Sequence, residues 1–106
     1  MSGFAGMLRE RVRLLTSAAT RDALGASTED WTLVQLAWAA VAPAGHDVPF
    51  AADAADAAPR WRVTLRPCSV KVGDRIGWGT RTIAVREVVE DPRLPDRIAA
   101  IGSELR

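Results

Sequence analysis

The 106-residue chain has no tyrosine, one cysteine (Cys68), one histidine (His46) and one lysine (Lys71). A single cysteine excludes an internal disulfide and suits a reducing compartment. Cys68 and His46 are the only thiol and imidazole from which a nucleophile–base pair could be built. A lone cysteine after Pro67 at a strand end is ordinarily inert packing, and His46 lies in a polar loop. Asp47, Asp53 and Asp56 with His46 match the spacing of neither an EF-hand nor a zinc site, so a solvated acidic loop is the simpler reading. The glycines of GDRIGWG lack the lysine and the following helix of a phosphate-binding loop. With tyrosine absent and with Phe4 and Phe50 outside the strand-like runs, an RNA-binding sheet of stacked aromatics is disfavoured. No apolar run approaches the ~20 residues that span a bilayer. MSGFAGML is too short, and too poor in basic residues, for a signal peptide. The chain is expected to be soluble, without catalytic activity, cofactor or metal, and without a membrane partner.

What is present suits one small domain. Hydrophobic residues make up 48% and charged residues 25%, with a net charge of +1. Thirteen of the fourteen basic residues are arginine, a bias that fits GC-rich coding. RWRVTLR (60–66) alternates strictly, with Trp61, Val63 and Leu65 on one side and Arg60, Arg62, Thr64 and Arg66 on the other. That is a half-buried strand with an arginine-rich outer face. RERVRLL (9–15) repeats the pattern, with Val12 and Leu14 inward and Arg9, Arg11 and Arg13 outward. TRDALGAS (20–27) supplies turn chemistry after it. The alanines of WTLVQLAWAAVAP (31–43) tolerate a helix, but Trp31, Thr32, Val34, Trp38 and Val41 favour a strand. VGDRIGWGTRTIAVREVV reads as two strands joined at Gly79 and Thr80, with a bulge near Glu87 where Val88 breaks parity. EDPRLPD (90–96) is a loop and RIAAIGSEL (97–105) a last strand.

The spacing predicts an all-β single domain, a barrel or sandwich of about six strands over residues 1–106. The predicted core is Val12, Leu14, Trp38, Trp61, Val63, Leu65, Ile76, Trp78, Ile83 and Val85. A long loop, 44–58, interrupts strands 2 and 3. It is alanine-rich, carries three aspartates and lacks lysine and arginine. Its AADAADAA tract can form two helical turns ending at or before Pro59. The outward arginines have two readings. They keep strand edges soluble, or they meet acidic neighbours or phosphates, which guanidinium binds bidentately. The residues alone leave both open.

An ordered set of short motifs adds to this reading. Gly6, Leu8, Arg9, Arg11 and Val12 form G-x-L-R-x-R-V, followed by RDALG and Trp31. Trp38, Ala39, Val41, Pro43 and Gly45 form W-A-x-V-x-P-x-G. Arg62 to Arg66, GDRI (73–76), Gly79, Arg81 and Ile83, and EDP with Arg97 complete it. In this order the chain resembles the head–tail joining (head closure, or stopper) proteins of long-tailed phages and phage-like gene transfer agents. Ala99 and Ala100 replace bulkier residues usual in that family, and the loop is richer in alanine than is common there.

The resemblance implies a small β-barrel in a virion assembled in the bacterial host cytoplasm. Six or twelve copies would form a ring between a portal or adaptor ring and the tail terminator or other tail proteins, with double-stranded DNA passing through the lumen. His46, Asp47, Val48, Phe50, Asp53 and Asp56 would then belong to a channel or gating loop. Arg9, Arg11, Arg13, Arg60, Arg62 and Arg66 would lie at subunit or ring contacts. An arginine-free acidic lumen repels phosphate and lets DNA pass without sticking. The alternatives are an adaptor or tail-completion protein of the same junction, or a nucleic-acid-binding β-barrel module.

Overall fold

The computed structural model of the chain describes residues 3–21, 27–46 and 58–105. A short helix α1 (Phe4–Met7) precedes six strands: β1 (Glu10–Arg21), β2 (Ser27–His46), β3 (Pro59–Leu65), β4 (Arg75–Trp78), β5 (Arg81–Val89) and β6 (Ile98–Leu105). They close into one barrel in the order β1-β2-β3-β6-β5-β4. Every pairing is antiparallel. Closure leaves the barrel portion of each strand with two partners and so removes the edges that invite aggregation.

Alternation sets the facing, as the sequence predicts. Val12 and Leu14 of β1, Val63 and Leu65 of β3, Ile76 of β4, and Ile83 and Val85 of β5 are all buried in a single core. Ile98 and Ala100 of β6, Ala39 of β2 and Val70 complete it. The predicted bulge is present, since Val85 pairs with Gly102 and Glu87 with Ile101, which leaves Arg86 as the extra residue. Val88 thereby returns to the inside and packs on the core. Gly102 sits opposite this kink with no room for a side chain: a Cβ there would lie 2.1 Å from the Ala84 carbonyl oxygen. The β4–β5 turn uses Gly79 at φ 59°, in the left-handed region that glycine tolerates.

Trp38 is a correction. It points outward and is 51% exposed, whereas its neighbour Ala39 is fully buried. The register explains why: Trp38 lies opposite the outward Arg11, and Ala37 lies opposite the inward Val12. Size alone favours the indole as the inward residue, but in this crowded interior the inward places beside it, 37 and 39, go to alanine.

The hairpin β1–β2 is longer than its sequence pattern suggests. Beyond Leu15, β1 pairs only with β2, and before Ala39, β2 pairs only with β1. The two strands therefore continue as a ribbon away from the barrel, and the principal extents of 57 × 38 × 27 Å reflect that shape. A bulge at Leu14/Leu15 marks the departure, with Val34 the extra residue between Leu33 and Gln35.

One buried carboxylate ties the ribbon base to the β3–β4 loop. Asp74 accepts hydrogen bonds from Thr16 Oγ1 at 3.0 Å, the Lys71 backbone N–H at 3.1 Å and Lys71 Nζ at 3.1 Å. Its burial is tolerable because each oxygen is satisfied.

Candidate interaction surfaces

The barrel gathers the two arginine rows on one side. Arg11 and Arg13 face outward on β1, and Arg62 faces outward on β3, with β2 between them. At about 4.8 Å per strand, the rows stand roughly 10 Å apart. The outward residues of β2 between them are Trp38, Ala40 and Ala42, small after the single indole. Arg60 is half-buried at the start of β3, while Arg62 and Arg66 are exposed.

Several of these guanidinium groups are held by their own chain. Arg9 Nε donates to the Gly6 carbonyl at 3.1 Å, which fixes α1 against the start of β1. Arg13 Nη2 donates to the Gly79 carbonyl at 3.0 Å and lies flat over Gly77, where a Cβ would come within 2.6 Å of it. Arg11 stacks over Trp38 with 5.1 Å to the ring centroid. Arg66 and Arg97 approach Phe4 at 5.8 and 4.1 Å, so two cations bracket the α1 aromatic.

The barrel end from which β2 leaves and β3 returns is plugged by aromatics. Trp61 and Trp78 meet edge-to-face with centroids 4.9 Å apart. Arg81 lies over both rings at 5.5 and 5.6 Å. Glu104 Oε1 accepts from Trp61 Nε1 at 2.9 Å and from Arg81 Nη1 at 3.1 Å, and Trp78 Nε1 donates to Glu10 at 3.3 Å. Both indoles are thus satisfied at the polar tip and half-buried against the core along the body.

The opposite end carries a cleft of about 400 Å³, walled by Pro67, Pro92, Leu94, Pro95 and Ile98, with Glu90, Asp91 and Arg97 at its rim. Its loop is clamped by local pairs. Asp91 accepts from the Arg93 side chain and backbone, and Asp96 accepts from Arg97. Those bonds hold both carboxyls below their usual pKa. Met7, Leu33, Leu36, Trp38 and Leu94 are large apolar residues left exposed around this end and along β2. Sequence reasoning missed Trp38 and Leu36 as surface residues, although their placement opposite Arg11 and Arg13 was implicit in the arginine alternation.

The remaining sequence-derived residues fall as follows. His46, expected in the loop 44–58, instead ends β2 and pairs with Pro59 at the start of β3, so Ala44, Gly45 and His46 belong to the strand. Cys68 follows the other end of β3, half-buried against the core. A seven-residue strand separates those ends, so roughly 20 Å of chain lies between the two backbone positions. Asp47, Val48, Phe50, Asp53 and Asp56 lie outside the described residues. Among the described residues, no group of three His, Cys, Asp or Glu side chains is arranged to hold a metal ion.

The family profile of the phage head completion protein matches residues 5–101. The chain belongs to that family. It is therefore a structural component of a phage-type virion, from a family not known for enzymes. Two solved structures are similar to this head completion protein. One is a protein of Shigella flexneri 2a determined in solution, at TM-score 0.70 and 22% identity, covering 96% of each chain. The other is a chain from the virion of a native gene transfer agent particle, at TM-score 0.71 and 18% identity, covering 92% of this chain and 96% of that one. At such identities the likeness concerns the fold. No curated protein sequence matches.

Proposed function

We propose that this head completion protein acts at the head–tail junction as a ring between the portal or its adaptor and the tail, closing the DNA channel after packaging and offering the tail its docking surface. The observation that carries the reading is the family match over residues 5–101, joined to a rigid closed barrel whose outer side gathers two arginine rows. Guanidinium groups with no carboxylate partner among the described residues, such as Arg11 and Arg62, suit contacts with acidic neighbours in an assembly. The likeness to a chain of a gene transfer agent virion is in keeping with a place in a DNA-filled particle. The stretch 46–57 leaves from the plugged end of the barrel. With three aspartates and no lysine or arginine, its composition suits a lumen through which DNA slides.

The test is to make particles lacking this chain. Heads should package DNA, fail to join tails and lose their DNA on storage, and added purified protein should restore both properties. Normal tail joining and DNA retention without the chain would overturn the reading.

A further inference from the structure

We infer that neighbouring copies of this chain meet head-to-tail, with Trp38 of one copy entering the cleft of Pro67, Pro92, Leu94 and Pro95 on the next. This rests on the ring reading above and names the surfaces that build it. The two patches are complementary in shape and in charge. Trp38 stands 51% exposed on a strand of a closed barrel, a costly place for an indole unless something covers it. Arg11 lies over its ring and has no carboxylate partner among the described residues. The cleft is walled by rigid prolines and leucine, of a volume that admits an aromatic side chain. On its rim stands Glu90, exposed and without a hydrogen-bond or ion-pair partner among the described residues.

An aromatic residue with an adjacent arginine, entering an apolar pocket edged by a free carboxylate, is the usual composition of an interface hot spot. Leu36, the next outward residue along β2, and Leu94, on the cleft wall, extend the apolar contact on either side. Trp38 belongs to β2, whereas the cleft lies under β6 and its neighbours, two strands further in the closed order. The patches adjoin at Pro67, which borders both, but Trp38 and the 92–95 wall that would receive it are unlike surfaces of one subunit. A contact between unlike surfaces is heterologous, and repeating it closes a ring when the rotation permits.

The experiment uses virus-like particles carrying the full chain in a Cys68→Ser background, treated with a short bis-maleimide. The double variant Leu36→Cys, Leu94→Cys should give a ladder of covalent multimers, while each single variant should stay monomeric. Dimers from Leu36→Cys alone would mean that like faces meet, and would overturn the proposal. So would the lack of a ladder in particles that contain the protein. Electron cryo-microscopy of the same particles separates the two levels. A ring without the ladder refutes this contact alone, and particles without any ring refute the ring reading as well. As a second arm, Arg11→Glu should lower incorporation about tenfold, and adding Glu90→Arg should restore it. Incorporation unchanged by Arg11→Glu, or unrescued by the swap, counts against the contact.

Discussion

At the scale of single residues, size is decided by what lies opposite. Gly102 is fixed by the backbone of β5, since a methyl group at that position would collide with the Ala84 carbonyl and Ile83 Cγ2. Gly102→Ala should destabilise the barrel by about 1–3 kcal/mol through overpacking. Chemical denaturation would show it, and a change below about 0.5 kcal/mol would mean that the β5–β6 bulge adjusts freely. Nothing in GSEL announces this, because the pinch arises from pairing with a bulge nearly twenty residues away. The tryptophans teach a related lesson. Trp61 was legible as an inward residue from the alternation of RWRVTLR, but Trp38 was not, because the alanines around it give no parity signal. Trp61→Ala, which opens the plugged end and leaves Glu104 with Arg81 alone, should cost about 3 kcal/mol. Trp38→Ser should change folding stability by less than about 0.5 kcal/mol, as surface substitutions do. If thermal unfolding ranks them the other way, the facing of β2 is wrong.

At the scale of elements, strand existence was readable and strand length was not. The core portions of β1 and β2 follow the expected runs 9–15 and 31–43, yet both strands continue well past them. Period-two patterning marks only strands with one buried face, and the ribbon has no core beneath it to impose that pattern. The loop between β5 and β6 was readable as turn chemistry, but its clamps were not. Asp91 is held below its ordinary pKa chiefly by the Arg93 side chain, and Asp96 chiefly by Arg97. A lowered folded-state pKa contributes stability that is present above the unfolded value and lost as pH falls through the lowered one. Asp96 is exposed and Asp91 part-exposed, so screening keeps the contribution small and local. Acidification below the ordinary carboxylate range should therefore loosen residues 92–97 without unfolding the barrel. Amide exchange read against pH would reveal it. Protection of the Leu94 and Arg97 amides that stays constant through full protonation would show that the backbone turns alone hold the loop.

At the scale of the whole molecule, the all-β class and six strands were legible because the barrel portions of most strands are short, alternating and bounded by turn residues. The residues left barrel and sandwich both open and only the resemblance implied the barrel, since closure depends on β1 meeting β4 and β3 meeting β6, pairings between distant segments with no local signature. That closure makes the connection between β2 and β3 dispensable for folding. His46 and Pro59 are already cross-strand partners, a spacing of roughly 5 Å that a short hairpin turn can span. Replacing residues 47–58 with a four-residue Gly-Ser turn should leave the β circular dichroism spectrum intact and shift the melting temperature little. The shorter closure even lowers the entropy cost slightly. Incorporation into particles should also persist, because the arginine rows, Trp38 and the cleft belong to the barrel and its 90–97 loop. The property expected to fail is containment: tailless heads carrying the shortened chain should package DNA and then lose it. Changing Asp47, Asp53 and Asp56 together to Asn should do less harm, since charge governs how readily DNA slides past while the chain itself supplies the obstruction. DNA kept per head, compared between the shortened and intact chains at equal incorporation, is the decisive quantity. Equal retention would mean that the barrel ring alone closes the channel and that the acidic stretch serves some other contact.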